Sequence, residues 1–197
     1  MLNPPLPGEG SPVILDFWPD HHPDGADAAA FPGLAATWTY GAGGLRLVMT
    51  SGFGTRRDPV TGAPKENHNG IDIALPHGSA VVAAGPGKVT ATWDNDPLNG
   101  TALVVDHRPY GLPYVTSYVH LSRRDVGKGA VVKAGQVIGL SGGTRGTWGA
   151  GKSTGPHLHF GVRSYDAGRA GARVDPLSVV DWTGVQLVDR NGRAVHS

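Results

Sequence analysis

The chain has 197 residues, among them 31 glycines and 16 prolines but only two glutamates (Glu9 and Glu66) and five lysines. Good polar helix formers are therefore scarce, which excludes a helical bundle or coiled coil, while 39% hydrophobic residues can still supply a core. A net charge of +1 gives no nucleic-acid footprint, and zero cysteine excludes disulfides, thiolate metal sites and a cysteine nucleophile.

Residues 1–44 carry seven prolines and the acidic, histidine-bearing patch D-F-W-P-D-H-H-P-D-G-A-D (16–27). They predict an extended arm anchored by Phe17, Trp18, Phe31 and Trp38, with a disordered leader as the alternative. The N-terminus has no basic n-region and no apolar h-region, so no signal peptide is visible. From Leu45 onward, short runs of strand character recur between Gly, Pro, Asn and Asp. They are Leu45–Thr50, Ile71–Ala74, Ala80–Ala84, Lys88–Trp93, Ala102–Asp106, Val115–His120, Gln136–Ser141 and Leu158–Arg163. Such spacing predicts an all-β domain, an antiparallel sheet sandwich or open barrel. The best apolar run, Ala80 to Ala84, is far too short for a membrane span. The Gly-rich stretch G-G-T-R-G-T-W-G-A-G-K-S-T-G-P (142–156) predicts a functional loop or a mobile flap before the last strand. The main domain is expected to end near Val174-Asp175-Pro176-Leu177. Residues 181–197 form an extension in which Val185–Val188 and the turn Asp189-Arg190-Asn191-Gly192 can add one hairpin.

Most of the nine histidines need no function. His21 and His22 lie in the arm, His77 in a Pro-His-Gly turn, His107 at a strand end and His196 beside the C-terminus. Three stretches differ. N-H-N-G-I-D-I (67–73) places His68 and Asp72 four apart, roughly 13 Å in a straight strand, unless Asn69-Gly70 bends the chain between them. In G-P-H-L-H-F-G-V-R (155–163), strand geometry points His157 and His159 to one face and Leu158 and Phe160 to the core. One imidazole can then hold a metal while its neighbour reaches past it toward substrate. In S-Y-V-H-L-S (117–122), His120 closes a strand; taken alone it would default to a structural role.

Taken in order, H-N-G-I-D, S-Y-V-H-L-S and G-P-H-L-H-F, with S-G-F-G-T-R-R-D-P-V-T-G (51–62) upstream, resemble the LytM/lysostaphin-type zinc metallopeptidases that cut peptidoglycan. A-L-P-H-G-S-A-V-V-A-A-G-P-G-K-V (74–89) and V-K-A-G-Q-V-I-G-L-S-G (132–142) add further matches, so the resemblance covers about Leu45 to Leu177. It implies that His68, Asp72 and His159 bind Zn2+ and that His120 and His157 are non-ligand catalytic histidines. It also implies a peptidoglycan peptide as substrate and a site of action at the bacterial cell wall. A groove walled by long loops is expected, and a monomer with no nucleic-acid partner. Many zinc peptidases use H-E-x-x-H with Glu as base. This chain has no such motif, which favours a histidine base by elimination, with Glu66, two before His68, as the alternative.

The sequence departs from the family in an expanded loop R-G-T-W-G-A-G-K (145–152), in D-N-D-P-L-N-G (94–100) and in R-P-Y-G-L-P-Y (108–114). Gly161 also stands where the family commonly has a larger residue. Cross-bridge preference is therefore not transferable. The competing expectation is a non-catalytic cell-wall-binding or regulatory module of the same fold. A latent enzyme, its metal capped by Asp20, His21, His22 or Asp24 of the arm, is a further expectation beside a plain solvated acidic turn.

Overall fold

The computed structural model describes residues 34–35, 45–57, 64–166 and 169–195. The predicted arm, its four anchors and its acidic histidine patch lie outside the described residues, apart from Leu34 and Ala35, as does His196. In chain order the strands are β1 (Leu34–Ala35), β2 (Leu45–Ser51), β3 (Gly54–Arg57), β4 (Pro64–His68) and β5 (Ile71–Ala74). Next come β6 (Ala80–Val82), β7 (Gly87–Asp96), β8 (Gly100–Asp106), β9 (Tyr114–Arg124) and β10 (Val131–Val132). The last are β11 (Val137–Ser141), β12 (Leu158–Ser164), β13 (Ala172–Val174), β14 (Val180–Asp181) and β15 (Val185–Val188). Only two short 3-10 turns, Arg108–Tyr110 and Pro176–Ser178, interrupt them among the described residues. No described helix is long and apolar enough to cross a membrane.

Eleven strands share one open sheet whose main path runs β10-β7-β8-β9-β12-β5-β2-β15, with β11 against β9 and β6 and with β13 on β12. The all-β expectation holds, and the pairing is mostly antiparallel. It is not wholly so: β15 lies parallel to β2, and β1 parallel to β14. Neighbouring strands joined by tight turns must run antiparallel, whereas β2 and β15 are separated by most of the chain and carry no such constraint. All eight predicted runs are strands; most are longer than predicted, β7 by four residues and β9 by five, while the run from Ala80 stops at Val82 and that from Gln136 begins at Val137.

The site stands on the middle of this sheet. Ile71 and Ile73 of β5, Leu158, Phe160 and Val162 of β12, and Tyr118 and Leu121 of β9 alternate into one core. Their partners point the other way, and the register aligns His159 with Asp72 on one side and with Val119 on the other. Deeper in the core, His107 is fully buried, yet both ring nitrogens are satisfied. Its Nδ1–H donates to Pro86 O (2.7 Å), Nε2 meets Thr116 Oγ1 (2.8 Å), and Thr116 Oγ1 in turn bonds the Tyr118 hydroxyl (3.2 Å).

Candidate metal centre

His68 ends β4 and Asp72 sits in β5, so the chain turns between them at Asn69-Gly70. A left-handed backbone is not what requires glycine at 70. A Cβ there would run into the carbonyl oxygen of Phe160 and come 2.9 Å from His159 Nε2, so the bend carries β5 flush against β12 only with no side chain present. Leu158 and Phe160 are buried as the alternation predicts, and His159 faces the opposite side.

Three donor atoms converge. His68 Nε2 lies 3.0 Å from His159 Nδ1 and 3.1 Å from Asp72 Oδ1, and His159 Nδ1 lies 2.9 Å from the same oxygen. The other nitrogen of each ring is held by an acceptor: His68 Nδ1–H donates to Gly52 O (2.7 Å), and His159 Nε2–H donates to Asn69 Oδ1 (2.9 Å). Each neutral imidazole must therefore present a bare lone pair to the other and to a carboxylate. Three lone pairs meeting at this distance repel unless a cation or a proton sits among them. One face of a tetrahedral zinc site, with bonds of 2.0–2.2 Å, has edges of about 3.3 Å. The donor set and its outer acceptors thus fit a divalent metal. Burial works to raise the Asp72 carboxyl, but the contacts with His159 and His68 outweigh it and hold it well below the usual carboxylate range. Burial lowers His159, against the pull of Asp72.

The two remaining histidines arrive by different routes. His157 immediately precedes β12, where its Nδ1–H donates to Gly155 O (2.8 Å) and lies 3.1 Å from Ser153 Oγ. Its Nε2 consequently faces the donor cluster, 3.7 Å from Asp72 Oδ1. His120 depends on a defect in β9. Tyr118 pairs with Leu103, but Leu121 pairs with Thr101, so three residues of β9 oppose two of β8. Without this bulge the strict alternation would bury His120 below Tyr118 and send Leu121 into the site. His120 itself occupies the left-handed region (φ +63°), unusual for a residue with a Cβ. Its ring centroid is 4.9 Å from that of His157 and 6.2 Å from that of His159. Burial, then the neighbouring His157 and His159, pushes it down to about 4.

Two loops hold His120 in place. The β7–β8 tip supplies Asn99 O, which accepts from His120 N (3.1 Å). The 143–152 loop brings the Ala150 backbone against the His120 ring, whose buried Nδ1 has no partner in ordinary hydrogen-bond geometry. This loop is fastened to the tip: Thr101 N donates to Gly149 O (3.0 Å), Lys152 N to Leu98 O (3.0 Å) and Gly149 N to Asn95 Oδ1 (3.0 Å). Gly100, Gly149 and Gly151 interlock at the junction, all with positive φ; a Cβ at Gly100 would strike Gly149 O, and one at Gly151 would meet Leu98 O at 2.5 Å.

The structure gathers all five residues singled out from sequence into one cluster. Glu66 lies within β4. Sequence reasoning missed the groups that orient the five. Asn69 was visible only as part of a bend, Ser153 had no distinguishing signal, and the carbonyls of Gly52 and Gly155 carry no side-chain signature.

A β sheet with a His–Asp–His donor triangle and two flanking imidazoles defines a metallohydrolase type of centre. The family model for peptidase family M23 matches residues 66–176, and the chain belongs to that family. It is 44% identical over 115 residues to the peptidoglycan DD-endopeptidase ShyB of Vibrio cholerae, covering 58% of this chain and 24% of that protein. Among solved structures it is similar to a zinc-containing peptidase from Vibrio cholerae, with 40% identity, a TM-score of 0.52, and coverage of 64% of this chain and 35% of that one. The catalytic domain of the antimicrobial peptidase lysostaphin from Staphylococcus simulans is 29% identical with a TM-score of 0.52, covering 66% of this chain and 89% of that one. The chain spans about a quarter of the length of the curated relatives it matches.

Proposed function

We propose that this protein is a zinc-dependent endopeptidase that hydrolyses peptide bonds in peptidoglycan cross-bridges or stem peptides, acting at the bacterial cell wall. The convergence of His68 Nε2, Asp72 Oδ1 and His159 Nδ1 within about 3 Å of one another, each imidazole turned by an outer acceptor, carries the reading. The name of the Vibrio cholerae relative supports the substrate class. A binding module that had given up catalysis would not need the complete set, and here every donor and both extra histidines are retained.

In this reading His68, Asp72 and His159 would hold the zinc, which when bound would supply an activated water and polarise the scissile carbonyl. His157 is oriented as the proton acceptor: Gly155 O takes its Nδ1–H and leaves the Nε2 lone pair facing the cluster. His120, neutral and buried beside it, donates a hydrogen bond to the oxygen on which negative charge develops. The proton taken up by His157 then passes to the leaving amine. Purified protein should contain one zinc per chain and solubilise peptidoglycan, and a chelator should stop it. Activity that persists both after metal removal and in His159→Ala would overturn the reading.

A further inference from the structure

Beside the catalytic histidines lies a second concavity that the peptidase chemistry does not use. A cleft of about 480 Å³ opens between the β7–β8 tip and the 143–152 loop, within the range of about 300–1,000 Å³ typical of small-ligand sites. Its lining includes Asn95, Asp96, Thr147, Trp148 and the backbone of Gly146 and Gly151. Trp148 is 66% exposed, a large apolar surface left in water on a loop that is otherwise fastened down. Around it stand an amide, a carboxylate, a hydroxyl and the ring of Pro97, with no cationic side chain on the wall.

We infer that this cleft binds an N-acylated hexosamine ring of the glycan strand. The inference rests on the peptidoglycan reading above and extends it from the peptide to the sugar. A pyranose presents a flat face of C–H bonds, suited to an indole, and a rim of hydroxyl and amide groups, suited to side chains that both donate and accept. A phosphate or acidic ligand would call for cations, and a hydrophobic peptide for apolar walls. Asp96 Oδ1 is occupied in capping Leu98 N (3.0 Å) and Asn99 N (2.7 Å), and Asn95 Oδ1 holds Gly149 N. Asp96 Oδ2 and the Asn95 amide nitrogen are the atoms left to meet a sugar.

The position matters as much as the lining. Trp148 adjoins Gly149 and Ala150, which are pinned to the tip that also holds His120. A sugar stacked on Trp148 is thereby held in fixed register with the catalytic histidines, so the glycan strand would place its attached peptide toward the donor cluster.

The test compares zinc-loaded wild type, Trp148→Ala and Trp148→Phe on intact sacculi and on a glycan-free cross-linked peptide dimer. Trp148→Ala should lower the ratio of kcat/KM on sacculi to kcat/KM on the dimer about tenfold, chiefly through KM, and Trp148→Phe should restore most of it. A ratio that does not move overturns the inference, whether both substrates suffer equally or neither does. An independent arm titrates zinc-free protein with tri-N-acetylchitotriose and follows tryptophan fluorescence. Binding on the order of 1 mM, lost in Trp148→Ala, is expected, and no binding by wild type overturns the inference. If wild type cleaves neither substrate yet binds the trisaccharide, it is the peptidase reading that fails.

Discussion

The donor triangle and the histidine pair are built on opposite terms, although Asp72, His159 and His120 share the main sheet while His68 comes from the separate β3–β4 ribbon and His157 from just before β12. His159 and Asp72 sit in regular strands in register, and outer acceptors fix both imidazoles of the triangle. The pair is less comfortable: His120 holds a left-handed backbone inside a strand and keeps a buried Nδ1 with no partner in ordinary hydrogen-bond geometry, and His157 hangs from a glycine-rich loop. A metal is held by many small preferences that agree. On the proposed reading, proton transfer would need imidazoles where the sheet does not ordinarily put them, and the strained backbone is found there.

This contrast can be broken experimentally. The largest effect is expected from His159→Ala, which should abolish both zinc content by elemental analysis and muralytic activity; normal zinc with normal activity would refute its place in the triangle. His157→Ala should separate the two halves, keeping about one zinc per chain while kcat falls about 10²- to 10⁴-fold. Equal loss of zinc and turnover would show that it belongs with the ligands. Asn69→Ala should leave the fold intact but weaken zinc affinity about 10- to 100-fold in a competitive chelator titration, because His159 loses the partner of its Nε2–H.

The smaller effects concern stability. His120→Gly should lose activity yet raise resistance to urea by about 1 kcal/mol, since glycine accepts the positive φ without strain. A destabilised His120→Gly would mean that the ring's packing outweighs the backbone. His107 offers a buried imidazole away from the site for comparison. Burial lowers it to about 4, against hydrogen bonding at Pro86 and the charge of Asp106, so the unfolded chain takes up a proton near 6.5 that the folded one refuses. Its folded pKa is depressed, so stability falls as pH drops from about 6.5 toward 4, by up to about 1.4 kcal/mol per pH unit. His107→Asn should make the unfolding free energy measurably less steep across that window; an unaltered slope would place the acid sensitivity elsewhere.

Eight strands could be read from the chain because each follows a local pattern, whereas the five histidine and aspartate positions were singled out as a set only through the family resemblance. Ile71-Asp72-Ile73 and Leu158-His159-Phe160 alternate without interruption, and alternation alone decides which side faces the core. The short strands escaped notice for physical reasons. Gly54–Arg57 and Pro64–His68 are polar and mispatterned, and Val131–Val132 and Ala172–Val174 are two- and three-residue edge pairings decided by their neighbours. The bulge at His120 has no signal in S-Y-V-H-L-S, where no glycine marks the left-handed residue. It comes from the competition between Leu121 and His120 for the core. The acceptors that orient the histidines were hidden too, because two of them, Gly52 O and Gly155 O, are backbone carbonyls whose direction depends on the surrounding chain.

The glycine junction between the β7–β8 tip and the 143–152 loop has a consequence for anyone who recombines these enzymes. Gly100, Gly149 and Gly151 mesh backbone to backbone, leaving no space for side chains from a foreign partner. The two segments therefore behave as one inheritable cassette. A chimera that imports either one alone should misplace His120, whereas residues 94–101 and 143–152 exchanged together should carry their substrate preference with them.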